Sequence, residues 1–296
     1  MGKVKKLKRK YFSVFSILLI LVIFVYINVA MTSATTNDKT DIAYNDLSPS
    51  QKLDIFYPKE EAESYPVVLY LHGGSYLHGD KDQYNVNDKK TFTANGYVYV
   101  AANYRLSNEK VFPAAVDDVK TIIRYLKEEA NSLKINIDRI YVLGHSAGAN
   151  LGSMVVSTKG TEALGNEPIK YDKYNSNIAG FIGIAGFYDV NEYLNDSKSK
   201  EKTRERISKY YKGFNPNALA NNTNYIKNLD TPVLLQHGKE DRVVNYKETI
   251  KYCNRIQYRS KNKNVTCEIF PTKKHSYEVI MSSSNIKRII EWMNNN

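Results

Sequence analysis

Along most of this chain, short apolar runs alternate with amphipathic stretches, and their lengths and periods predict regular elements. Runs rich in β-branched and aromatic residues read as strands at Lys52 to Phe56, Val67 to Leu71, Tyr97 to Ala102, Arg139 to Leu143, Ala179 to Ala185, Val233 to Gln236 and Val265 to Phe270. Stretches of helical period lie between several of them, at Ala114 to Ala130, Ala147 to Val156, Tyr246 to Arg259 and Ser284 to Met293. In the first of these, Ala115, Val116, Val119, Ile122, Ile123 and Leu126 recur at spacings of three and four and make one apolar face. Repeated strand, helix, strand implies right-handed crossovers, a mostly parallel central sheet and helices on both faces, which is a three-layer α/β fold. Sites in open sheets of this kind lie at the carboxyl ends of the strands.

Two stretches break the alternation. At the start, MGKVKKLKRK carries six of the 42 basic residues, and Tyr11 to Met31 then runs 21 residues without a charge. About 20 apolar residues can cross a bilayer as a helix, while Thr32-Ser33-Ala34 offers a small-residue cleavage site. Residues 1–34 are therefore expected to be a signal peptide or an uncleaved signal anchor. Either puts the body, residues 35–296, outside the cytoplasm, secreted or held at the membrane by one N-terminal helix. A short polar linker, Thr35 to about Asp41, follows. The second interruption, Tyr188 to Asn228, is polar and rich in Asn, Lys and Tyr, and is expected to be a cap-like insertion.

Charge narrows the function classes. The formal net charge is +11, and without the leader's six Lys and Arg it is +5, spread over the surface with no dense stripe. Nucleic-acid binding has no support in that pattern. Cys253 and Cys267 suggest no metal cluster, and they read equally as a bridge or as two buried thiols.

Residues 144–150 read GHSAGAN, after the apolar run IYVL and before a small-residue helical stretch. Such a string is either a loose turn or an elbow that holds a serine nucleophile above the sheet. A serine needs a base to take its proton, and the base needs a carboxylate to orient it. His275, in PTKKHSYE just past the run Val265 to Phe270, stands where a base belongs. Asp241, in LLQHGKEDRVV, is the carboxylate candidate, with Glu240 and Asp230 close by. The order Ser146, Asp241, His275, each after a different strand, is the order this type of elbow uses. His237 is expected to brace the loop it begins, and His145 to leave the elbow in a direction away from the serine.

Acyl transfer also needs donors for the oxygen that becomes negative. In VVLYLHGGS, the residues His72-Gly73-Gly74-Ser75 follow a β-rich run. The N–H groups of Gly74 and Ser75, with that of Ala147 at a helix start, are the candidate oxyanion hole. Asp117 and Asp118 read as caps or ion-pair partners, and Tyr76, Tyr188, Tyr210 and Tyr211 as core or surface, with pocket walls the less expected role.

The strings YPVVLYLHGGSYLHGD, AANYRL, FPAAVDDVK, DRIYVLGHSAGANL and QHGKEDRVV resemble the α/β-hydrolase superfamily, and within it the carboxylesterases of the hormone-sensitive-lipase and bacterial feruloyl-esterase-like group. The resemblance covers roughly Leu47 to Met293. It implies an α/β-hydrolase fold for residues 35–296 and a serine esterase working through an acyl-enzyme, with Ser146, Asp241 and His275 as the triad. It implies a small-molecule ester as substrate and neither a metal nor an organic cofactor. Two positions depart from the group's pattern. Ser75 stands where a third glycine is usual, and Ala149 where a glycine often follows the elbow. A peptidase or amidase on the same scaffold, and a membrane-tethered binding module without catalysis, are the competing readings.

Overall fold

The structure, a computed structural model, describes residues 37–83, 86–214, 221–260, 262 and 264–296. The leader expectation, residues 1–34, lies outside the described residues. Among those described, no helix is long and apolar enough to cross a membrane.

The described residues form one eight-stranded sheet in the order β1-β2-β4-β3-β5-β6-β7-β8. The strands are β1 (Lys39–Ala43), β2 (Lys52–Phe56), β3 (Tyr65–Leu71), β4 (Val98–Ala102), β5 (Ile135–His145), β6 (Gly180–Ile184), β7 (Val233–Gly238) and β8 (Val265–Phe270). β2 pairs antiparallel with β1 and with β4, and every pairing from β4 through β8 is parallel. Chain direction across the sheet reverses at β3, which has β4 on one side and β5 on the other, so the ends of β3 and β5 open a crevice.

The pleat divides the core in two. Val67, Leu69 and Leu71 of β3 join Val119, Ile122 and Leu126 of the helix Ala114–Glu128 and Leu151 and Met154 of the helix Ala147–Ser157. Val68 and Tyr70 face the other layer, with Phe92 of the helix Val86–Ala94 and Ile286, Ile289 and Met293 of the helix Ser283–Asn294. Burial on both faces is why the central strands read as unbroken apolar runs. Truncating a fully buried residue such as Ile122 to Ala would cost about 2–5 kcal/mol.

Two elements depart from the sequence expectations. The polar linker in part forms β1, a largely exposed edge strand, KTDIA, with no apolar alternation to announce it. The helix Val86–Ala94, VNDKKTFTA, buries only Asp88 and Phe92, too little for a detectable stripe.

Part of the insertion packs as core. Its helices, Val190–Asn195 and Glu201–Tyr210, bury Tyr193, Ile207, Tyr210 and the following Tyr211. Asp189 caps the first by accepting from Glu192 N at 3.0 Å. Arg255 to Asp189 (2.8 Å) and Lys251 to Glu192 (2.7 Å) tie it to the helix Lys247–Arg259. That helix is also bonded to β8 by a Cys253–Cys267 disulfide, with Cα atoms 6.5 Å apart. Elsewhere Asp118 pairs with Arg105 at 2.7 Å and Asp117 accepts from the N–H groups of Leu164 and Gly165, both as ion-pair or loop partners.

Candidate active site

β5 runs straight into the helix Ala147–Ser157 with Ser146 as the single residue between them, at φ 53° and ψ −112°. A non-glycine residue in the left-handed region is strained by about 1–3 kcal/mol and persists only where its surroundings fix it. Here Ser146 N donates to Ile184 O of β6 at 2.9 Å, and the helix packs directly on the strand ends. A Cβ on Gly148 would lie 2.2 Å from Leu71 O, and one on Gly144 would lie 2.3 Å from Gly148 O. Those approaches explain both glycines of the string: the turn closes backbone against backbone, and no side chain fits between. Ala149, where a glycine is common, is accommodated because Gly186 opposite has no side chain; a Cβ there would sit 2.7 Å from the Ala149 methyl.

Three loops from three strands converge on the serine. His275 Nε2 lies 3.0 Å from Ser146 Oγ, in position to accept its proton. His275 Nδ1–H donates to Asp241 Oδ2 at 2.6 Å. Asp241 is buried, and its Oδ1 accepts from the N–H groups of Val243 (2.7 Å) and Val244 (2.9 Å). Burial opposes its ionisation, but the bonds from His237 and His275 outweigh that and hold the carboxyl well below the usual carboxylate range. Of the rival carboxylates, Glu240 is exposed and Asp230 pairs with Lys159 at 2.7 Å.

The loops that carry Asp241 and His275 also hold each other. Lys239 N donates to Phe270 O (2.8 Å) and Glu240 N to Lys273 O (3.0 Å). His237 does brace its loop: Nε2–H donates to Asp241 Oδ2 (2.9 Å) and to Val244 O (3.1 Å), while Nδ1 accepts from Thr249 Oγ1 (2.7 Å).

Facing Ser146 is the loop after β3. Gly74 and Ser75 have φ of 115° and 56°, so their peptide planes turn away from the strand direction. Among the described residues, the N–H groups of Gly74, Ser75 and Ala147 donate to no other acceptor. Tyr70, Gly73, Gly74, Gln83, His145, His275, Ser276 and Tyr277 line a cleft of about 560 Å³ that reaches His275 and the loop after β3. His72 is buried under the loop, stacked on Tyr104 at 4.4 Å and bonded through Nδ1 to Gly73 O at 2.6 Å.

His145, expected to leave the elbow away from the serine, has a partner that the sequence did not name: it turns toward the loop after β8, where Nε2–H donates to His275 O at 3.0 Å. Burial, and then the neighbouring His275, hold its imidazole neutral down to about 3. Adjacency to Ser146 was its only signal in sequence, because its partner is 130 residues away. Gly73, unassigned in sequence although it stands in the same string, is the other addition. Its Cβ position lies 3.2 Å from Ser146 Cβ, so a side chain there would crowd Ser146.

Residues 53–256 match the family described as BD-FAE, which is more than half of the chain. The chain belongs to the BD-FAE family. The match takes in the loop after β3, Ser146 and Asp241 of this BD-FAE chain, and ends before His275. Among curated proteins, it is 30% identical over 120 residues to the esterase LipI of Mycobacterium tuberculosis, covering 40% of this chain and 37% of that one. To the kynurenine formamidase of Danio rerio it is 28% identical over 167 residues, covering 54% and 50%. The BD-FAE chain thus spans half or less of the length of these two relatives. Among solved structures, a truncated carbohydrate esterase from gut microbiota superposes with a TM-score of 0.78 at 21% identity, covering 89% of this chain and 97% of that one. At that identity the likeness concerns the α/β-hydrolase fold.

Proposed function

We propose that the protein is a serine carboxylesterase that hydrolyses short-chain, aryl or carbohydrate esters through an acyl-enzyme. The observation that carries this reading is the hydrogen-bonded line from Asp241 through His275 to Ser146, facing a loop with unengaged N–H groups. Family membership and a relative named as an esterase support it.

In this mechanism His275, oriented by Asp241, takes the Ser146 proton as Oγ attacks the ester carbonyl. The new oxyanion is bound by the N–H groups of Gly74, Ser75 and Ala147, each such donor contributing about 3 kcal/mol to the transition state. His275 returns the proton to the leaving alcohol, and water then repeats the sequence to release the acid. The insertion, residues 188–228, would border the acyl or alcohol side as a partial cap. The charged leader with its apolar run supports an extracytoplasmic location, anchored or secreted.

Initial rates on p-nitrophenyl acetate, butyrate, octanoate and palmitate test the reading, with Ser146→Ala alongside. Fast, serine-dependent cleavage of the short chains is expected. Full turnover by Ser146→Ala would end it. An amidase on the same triad is the second reading, favoured by the likeness to a protein named as a formamidase. Comparing an ester with its matching anilide separates the two.

A further inference from the structure

Tyr76 follows the candidate oxyanion donors, and its φ of 60° makes it the third consecutive residue with a positive value. A bulky residue takes that conformation only where contacts fix it. Tyr76 is fully buried, with its ring stacked on Tyr210 at 3.8 Å and its carbonyl accepting from Ser107 N at 2.7 Å. Its hydroxyl donates to Asn150 Oδ1 at 2.6 Å. The same oxygen accepts the hydroxyl of Tyr211 at 3.0 Å. Asn150 Nδ2 donates to Phe187 O at 3.2 Å, which decides which end of the amide faces the tyrosines.

Three pieces of chain meet at this buried amide. Asn150 lies about one helical turn beyond Ser146, Tyr76 closes the oxyanion loop, and Tyr211 caps the insertion's helix Glu201–Tyr210. The helix that aims the nucleophile therefore also carries the acceptor that fixes the loop opposite it.

We propose that Tyr76, Asn150 and Tyr211 form a positioning clamp that sets the oxyanion-binding N–H groups against Ser146, and that the insertion takes part in transition-state binding through Tyr211. The proposal rests on the esterase reading and adds to it a role for residues that touch no substrate. A bond that only supports the fold changes stability. A bond that places oxyanion donors changes binding of the charge that develops in the transition state, so its loss falls on kcat and leaves KM nearly unmoved.

The test compares Tyr76→Phe, Tyr211→Phe and the double variant, each of which keeps the ring that packs. Tyr141→Phe is the matched control: it removes a buried hydroxyl bonded to Met293 O at 2.8 Å, on the other face of the sheet. Two quantities are read for each protein, ester kinetics and the dissociation constant of an aliphatic trifluoromethyl ketone, whose hemiketal oxygen occupies the oxyanion hole. Tyr76→Phe is expected to lower kcat about tenfold and Tyr211→Phe about threefold, with KM within about twofold and ketone affinity falling in step with kcat. The double variant should lose less than the product of the two, since both hydroxyls share one acceptor. Tyr141→Phe should match wild type in both readouts. Wild-type kcat and ketone affinity in Tyr76→Phe and Tyr211→Phe, or a loss confined to KM, would overturn the clamp. A wild-type protein that neither cleaves esters nor binds the ketone would instead remove the esterase reading, and the clamp with it.

Discussion

On the side of the candidate nucleophile, backbone meets backbone: Gly148 lies against Leu71 and His72, and Ser146 is pinned to β6. On the side of the candidate base, Asp241 and His275 sit on loops after β7 and the half-exposed edge strand β8, held by side chains, a neighbouring loop and a disulfide. The first side closes so tightly that nothing larger than hydrogen fits at Gly148. The second is held by polar groups from distant parts of the chain that satisfy one another. Close packing tolerates almost no substitution and leaves a dense sequence signature, whereas a hydrogen-bond scaffold spreads its requirements over many positions.

The largest expected effect breaks the base side chemically. Asp241→Asn keeps the shape but removes the charge that orients His275, and kcat should fall about 10³- to 10⁴-fold. Retention of more than a tenth of wild-type kcat would show that another group orients the base.

Opening the disulfide tests the same side mechanically. Replacing Cys253 and Cys267 by Ala releases a link across 14 residues of sequence, and should cost about 3 kcal/mol in chemical denaturation. Ester kinetics below the unfolding transition should be little changed, because Asp241 and His275 keep their hydrogen bonds. Equal stability with and without the link would mean that β8 needs no tether.

On the nucleophile side, Gly148→Ala forces a methyl against Leu71 O and His72 O, and should destabilise by about 1–3 kcal/mol while lowering kcat. Gly96→Ala, where φ is 81° and nothing lies within 4 Å, should cost about 1 kcal/mol and leave kcat alone. Equal effects on kcat would erase the distinction drawn for the elbow.

The smallest effect is one of pH. His145 stays neutral in the fold down to about 3, against 6.5 for an ordinary histidine, so below 6.5 the unfolded chain binds a proton that the native state refuses. Its contribution is present above pH 6.5 and fades as pH falls toward 3. His145→Gln, which can still donate to His275 O, should flatten that part of the stability profile by about 1–2 kcal/mol near pH 5.5. Unchanged urea midpoints across that window would place the acid sensitivity elsewhere. Glu248 acts on the same profile. Burial first, only partly offset by Lys251, pushes its carboxyl up to about 7, so it favours the fold at acidic pH and stops doing so as pH rises from 4.5 to 7.

Much of this molecule was written in local pattern. Two-sided burial makes β3 to β7 continuous apolar runs, the helix Ala114–Glu128 carries a full stripe, and GHSAGAN and HGGS announce a backbone geometry that few other residues permit. The three-layer order, and the candidates Ser146, Asp241 and His275 at strand ends, followed from those patterns because each depends on residues near in sequence. Tertiary structure alone decided the rest. β1 has no pattern of its own and exists by pairing with β2. The insertion looks polar, yet its Tyr210 and Tyr211 are buried, with Tyr210 stacked on Tyr76 of the loop after β3. His145 reaches His275, and Asn150 gathers Tyr76 and Tyr211, across 61 to 130 residues. A side chain's type constrains what it can bond to, but only the folded chain settles which distant partner it meets.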